Sequence, residues 1–191
     1  MAAARTAWQA EAGGLDPARL TFIDESGFDT RLVRTHALAP RGQRAHGAAP
    51  GGHWHRLTLI GALGLDGICA AMTVAGATDT AVFLAFITKV LVPALLRTRP
   101  DAVVVMDNLP AHKAACVREA LDQVGIAYRF LPAYSPDMNP IEQAWSKLKT
   151  DPRARAARTR HALEHAIPDA LKTITPGNAQ GWFRHAGYAP N

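Results

Sequence analysis

From Leu20 to Glu25 the chain alternates: Leu20, Phe22 and Asp24 share one face, and Thr21, Ile23 and Glu25 the other. A period of two predicts a strand over 19–26 that stops at Gly27. Residues 30–38 are expected to pair back as a second strand. Residues 39–55 are rich in Gly and Pro, carry Arg41 and Arg44, and read as a mobile basic loop. Two apolar runs within 56–76 flank Leu65, Asp66 and Gly67, a hairpin turn signal. A helix over about 80–97, capped by Thr78 or Asp79, is apolar on most sides and so is expected against a sheet. The β-branched run at 101–107 predicts a strand covered on both faces. A helix over about 111–124, closed by Gly125, and a strand over 126–132 follow. Ile141, Ala144, Trp145 and Leu148 recur at i, i+3, i+4 and i+7 and predict a helix starting near Pro140. The last helix begins near Thr159, with Leu163, Ala166, Ile167, Ala170, Leu171 and Ile174 on one face. Pro168 should kink it.

Three early antiparallel strands, followed by alternating helices and strands, predict an α/β fold with a mixed sheet flanked by helices. Residues 1–18 are expected as a leader, either loose or a short helix. Residues 19–150 form the predicted core, and 151–191 a helical extension packed on it.

Composition narrows the function. Of 191 residues, 48% are hydrophobic and 19% charged, which excludes a disordered chain. The net charge is +5, and 16 of the 21 basic residues are Arg. Arg forks pair with phosphate, which tilts the balance toward a polyanionic partner. Cys69 and Cys116 have no CxxC partner and read as thiols of a reducing compartment. The N-terminus lacks the apolar segment of a secretory signal. The most apolar run, from Ala81 to Leu96, is short and contains Lys89 and Pro93, so no membrane span is expected. The expected location is cytoplasmic.

The chemistry is carried by acids. Asp24 and Asp107 each end a predicted strand, and in open α/β sheets sites form beyond such strand tips. Glu142 opens a helix. Pro140 suits the first turn, and Asn139 is the predicted N-cap. The stiff segment Ser135–Pro140 thus aims one carboxylate. Three converging carboxylates repel one another unless a cation joins them, and hard oxygen ligands suit Mg²⁺ or Mn²⁺. Two such ions, about 3.5–4 Å apart, serve phosphodiester chemistry.

The stretches FIDESG, MDNLPAHK, LPAYSPDMNPIEQAWSKLK and WFRHAGY, with 34 residues between Asp107 and Glu142, resemble the catalytic domain of DDE transposases. The likeness is to their mariner-like bacterial insertion-sequence branch and covers roughly residues 19–188. It implies a ribonuclease-H-like five-stranded sheet, with Asp24, Asp107 and Glu142 as the catalytic acids holding two Mg²⁺ or Mn²⁺ ions. It also implies cutting of transposon ends and joining of the 3′-hydroxyl to target DNA, commonly at TA. Family members usually carry helix-turn-helix domains before the first Asp. Here about 20 residues precede it, so a separately encoded helix-turn-helix partner or a truncated copy is expected. Synapsis of two ends implies a dimer on DNA. Alternatives are a nuclease of the same fold that cleaves without joining, and an inactive DNA-binding relic.

Candidate DNA contacts are Arg41, Arg44, Asn108, His112, Lys113, Lys147 and Lys149. Asn108 and His112 either orient phosphate or metal-bound water, or serve as a helix cap and a partly buried His. Glu25, on the face opposite Asp24, is read as structural, and Asp137 as a turn residue. His53 and His55 belong to the loop, and Trp145 to the core. Arg153, Arg155, Arg158 and Arg160 form either a solvated face or a phosphate contact. In the segment Thr35–Arg44, Ala37 and Leu38 stand where the family often has an aromatic.

Overall fold

The alternation that begins at Leu20 becomes strand β1, Leu20–Asp29, in the computed structural model, which describes residues 2–33, 37–47, 51 and 54–188. The strand passes through Gly27 instead of ending there. A Cβ at Gly27 would meet the Arg56 guanidinium at 2.9 Å, so the missing side chain makes room for Arg56. Strands β2, Arg56–Gly64, and β3, Gly67–Ala75, form the expected hairpin, with Gly67 at a φ of +117° that favours glycine.

β1 pairs antiparallel with β2, from Phe22 opposite Leu63 to Asp29 opposite Arg56. The strand expected at 30–38 is not formed among its described residues; Arg34–His36 lie outside them. β2 takes that place: its run from Leu57 to Leu63 is buried throughout, whereas Leu32 and Val33 are only half-buried and Leu38 is exposed.

Strands β4, Val103–Met106, and β5, Ala127–Phe130, extend the other side of β1, each parallel to its neighbour. The order is β3-β2-β1-β4-β5, a mixed five-stranded sheet with helices on both faces. All four β4 residues are buried, as a β-branched run between two layers requires.

One face carries helices α2, Thr80–Phe86, α3, Val92–Thr98, and α4, Ala115–Asp122. Asp79 caps α2 by accepting the Val82 N–H at 2.8 Å. A π turn, Ile87–Leu91, joins α2 to α3, with the Val92 N–H reaching back to the Ile87 carbonyl. The expected helix over about 80–97 is thus formed, with Lys89 inside the π turn and Pro93 in the first turn of α3. Among the described residues Thr80–Thr98 is the one helix long and apolar enough to cross a membrane. Its Phe83, Phe86, Ile87, Leu91 and Leu95 are fully buried in the core on this face. Helix α4 starts later than the expected 111, because the preceding residues form turns that carry His112 inward.

The other face is covered by α1, Ala2–Gly13, α5, Ile141–Leu148, α7, Arg160–Leu171, and α8, Pro176–His185; a short α6, Thr150–Ala154, follows α5. Ile141, Ala144, Trp145 and Leu148 are all buried, as their spacing dictates. Helix α7 runs through Pro168. Helix α8, which the apolar pattern did not announce, starts at a capping box formed by Thr175 and Asn178.

Candidate active site

The parallel pairing of β1 and β4 is in register from Leu20 opposite Val103 to Phe22 opposite Val105. Two residues further along each chain stand Asp24 and Asp107. Asp107 follows the end of β4, as expected. Asp24 does not end its strand: it lies within β1, at the point where β4 has stopped and only the antiparallel partner β2 continues. The cleft opened there has a volume of about 360 Å³, and its lining includes Asp24, Asp107, Asn108, Tyr134, Asn139 and Glu142. The three acids, remote in sequence, face one cavity.

Asp24 is only 9% exposed, and its Oδ2 accepts the Trp145 indole N–H at 3.0 Å. That contact depends on Gly61, which lies across the ladder from Asp24. A Cβ on Gly61 would stand 2.5 Å from the Trp145 ring, so only glycine lets the indole lie there. Burial first, and then the Glu142 charge, push the Asp24 carboxyl up to about 7; the indole hydrogen bond pulls the other way.

Asp107 has the opposite environment. Its Oδ1 lies 2.6 Å from His112 Nδ1 and accepts the Leu109 N–H at 2.9 Å. The far ring nitrogen of His112 is 3.5 Å from Glu25 Oε1. Burial opposes charge on both groups. The pairing overcomes it, raising His112 to about 9 and holding Asp107 below the usual carboxylate range. His112 is 0% exposed and packs on Phe83, with ring centroids 4.0 Å apart. It cannot reach DNA as expected, because it is sealed behind Asp107. Glu25 points to the α4 side, as the alternation implies, yet it buttresses this histidine.

Glu142 sits in the first turn of α5. Burial raises its carboxyl, Lys149 opposes that rise, and Asp107 adds to it. Asn139 does not cap α5 with its side chain. Its backbone carbonyl accepts the Glu142 N–H at 3.1 Å, while its buried Oδ1 has no partner among the described residues.

The segment before α5 is held from both ends of the chain. Arg5 of α1 donates to Ser135 Oγ at 3.0 Å and pairs with Asp137. Trp8 Nε1 donates to the Tyr188 hydroxyl at 2.8 Å, and that hydroxyl donates to the Met138 carbonyl at 2.8 Å. Asp137 thus holds a turn and an ion pair, outside the cavity lining.

The residues suit a hard divalent cation. Three carboxylates line one cavity with Asn139 in its wall, and Asp24 and Glu142 are pushed toward their neutral forms by burial and by neighbouring negative charge. A dication supplies the missing positive charge. Among the described residues no three such side chains are already closed around one point.

Several proposed DNA contacts are engaged within the protein. Lys147 Nζ donates to the Thr173 carbonyl at 2.7 Å and to Asn178 Oδ1 at 2.6 Å, so it ties α5 to α8. The Asn108 amide donates to the Leu131 carbonyl, joining the ends of β4 and β5. Arg155 bridges Asp151 and Asp169, Arg160 pairs with Glu164, and Arg158 holds the Leu32 carbonyl at 2.7 Å. Arg41 and Arg44 are exposed in the long loop, and His53 lies outside the described residues. Lys113 stands 5.6 Å from the Phe130 ring. Lys149 is held below its ordinary value by burial, against the pull of Glu142.

Sequence reasoning missed Trp145 and Gly61 as partners of Asp24. Trp145 falls in the apolar stripe, and its polar edge was the one available signal: a buried indole N–H requires an acceptor. Gly61, inside a strand, signalled a close approach. The reach of His112 to Glu25 was not readable from local pattern.

The profile of the DDE superfamily endonuclease family matches residues 19–164. No curated protein matches the chain. Among solved structures, it is similar to the Mos1 transposase paired-end complex with left transposon end, with a TM-score of 0.78 and 16% identity over 97% of this chain and 57% of that one. The Mos1 mariner paired-end complex with Mn gives 0.74 and 19%, over 97% and 57%. The Mos1 transposase catalytic domain and Raltegravir with Mg gives 0.68 and 16%, over 97% and 87%. The chain spans a little over half the length of the first two. These likenesses show a shared ribonuclease-H-like fold, and the profile match over most of the chain places it in the DDE superfamily endonuclease family.

Proposed function

We propose that the chain is the catalytic domain of a DNA transposase that cleaves DNA at transposon ends and joins the 3′-hydroxyl to target DNA, at TA dinucleotides. One observation carries the reading: Asp24, Asp107 and Glu142 line a single cavity in a chain of the DDE endonuclease family. The three acids would hold two Mg²⁺ or Mn²⁺ ions, which when bound activate the attacking oxygen and stabilise the leaving one. His112, backed by Glu25, keeps Asp107 ionised. Trp145 fixes the direction of Asp24. Arg41, Arg44, Lys113 and Lys149 contact DNA phosphates.

In this reading residues 19–150 are the catalytic core and 151–191 a helical extension on it. Recognition of the ends belongs to a helix-turn-helix module outside residues 1–191, and the working form is a dimer assembled on DNA in the cytoplasm. The Mos1 structures, solved with a transposon end and with Mn or Mg, support the partner and the metal.

The test is incubation of the chain with a precut oligonucleotide end and a plasmid target, with Mg²⁺ or Mn²⁺. Joined product is the expected result. Nicking without joining turns the reading to a nuclease of the same fold. DNA binding with neither reaction turns it to an inactive relic.

A further inference from the structure

Tyr134 stands at the rim of the acid-lined cavity and is 88% exposed. Its φ is +56°, in the left-handed region that an aromatic residue enters only under strain. Among the described residues, its hydroxyl has no hydrogen-bond partner and its ring no aromatic neighbour. Its surroundings hold it there. Arg5 grips Ser135 Oγ, which donates in turn to the Ala133 carbonyl at 3.4 Å, and Tyr188 binds the Met138 carbonyl. On the other side the Asn108 amide holds the Leu131 carbonyl. The loop is therefore pinned before and after Tyr134, while the residue itself stays 88% exposed. Leu109, 45% exposed, offers a second apolar surface at the same cavity.

Strain of this kind persists when the surrounding structure enforces it, and it clusters at functional sites. An exposed, rigidly presented π-face beside a phosphodiester-cutting centre suits one ligand chemistry above others. A base adjoining the phosphate in the cavity lies within a nucleotide's reach of the rim, and every base offers a face on which an aromatic ring stacks. We infer that Tyr134 is a stacking platform for an unpaired base next to the scissile phosphate. The inference rests on the reading of the cavity as a DNA-processing site and adds a contact with substrate that the acids do not make.

The test uses the full chain and a duplex oligonucleotide with 2-aminopurine at its terminal, frayed position, followed by fluorescence without divalent metal. The wild-type chain should quench the probe. Tyr134→Gly should lose the quenching and roughly tenfold or more of the affinity for that end, the range of one lost base stack. Its melting temperature should stay level or rise, because glycine adopts this φ freely. Tyr134→Trp should keep both quenching and affinity. A Gly variant with wild-type quenching and affinity overturns the platform, as does one that melts lower while the Trp variant also fails to quench. If Gly loses the quenching but the wild-type chain neither cuts nor joins DNA with metal present, the platform stands and the transposase reading falls.

Discussion

Asp24 and Asp107 occupy matching places on adjacent parallel strands, yet their surroundings push them in opposite directions. Asp24 is deep, faces the α5 side and is met by a neutral donor, the Trp145 indole. Its carboxyl rises to about 7. Asp107 is backed from the α4 side by His112, which rises to about 9, and is held low. One sheet thus presents a carboxylate whose ionised form is favoured by its neighbours and another whose ionised form is opposed by burial and by Glu142. The difference shows that position on the sheet sets where an acid points, while the layer behind it sets its charge.

The largest expected effect tests whether both sides matter equally. Asp24→Asn, Asp107→Asn and Glu142→Gln should each lower metal-dependent cleavage and joining by roughly a thousandfold or more, as for residues that act as a unit. Asp137→Asn, outside the cavity, should lose far less. A triad variant that retains near-normal rates in a precut-end assay would remove that acid from the proposed chemistry.

The next effect concerns the neutral donor behind Asp24. Trp145→Phe keeps most of the buried ring and deletes only the N–H. It should raise the Mg²⁺ or Mn²⁺ concentration needed for half-maximal activity by about 10–100-fold, the usual cost of losing a partner of a metal ligand. Gly61→Ala should do the same by displacing the indole. A metal titration read by both activity and thermal shift separates this from simple unfolding.

The smallest effect is in stability against pH, measured by thermal melts in EDTA. Asp24 has its folded pKa raised from 3.8 to about 7. Its favourable contribution is complete below 3.8 and is lost as pH rises through about 7, so Asp24→Asn should flatten that fall. His112 is raised from 6.5 to about 9, so its contribution is complete below 6.5 and is lost as pH rises through about 9. His112→Gln should flatten only this later fall. Added Mg²⁺ or Mn²⁺ should raise the melting temperature at neutral pH, since it binds the folded state. A metal-free protein whose stability does not change across these windows would contradict the contrast between the two acids.

Much of this arrangement was legible in the residues themselves. Alternation at Leu20–Glu25 put Asp24 and Glu25 on opposite faces, and the stripe through Trp145 and Leu148 set the face of α5. Local periodicity does not report contacts between remote segments. The Trp145–Asp24 bond spans 121 positions and the Arg5–Ser135 contact 130. The continuation of β1 past Gly27 was hidden because the signal for a stop was in fact space for Arg56. Pro168, read as a kink, lies inside α7, and Pro93 sits in the first turn of α3, where its missing N–H is tolerated. Lys147 looked like a free surface cation because the apolar pattern did not announce α8, which holds its partner Asn178.

The chain of hydrogen bonds from Trp8 through Tyr188 to Met138 has a consequence for synthesis. Residues 8 and 188 are 180 positions apart, and both must be in place before the segment leading into Glu142 is locked. Phe22, beside Asp24, likewise packs on Phe183 and Tyr188. A nascent chain still held by the ribosome short of Tyr188 therefore carries all three acids in an unfinished frame. The frame of the acid-lined cavity is completed only when Tyr188, just past α8, is in place, so a chain cut after α7 should keep all three acids but hold the segment before Glu142 less firmly.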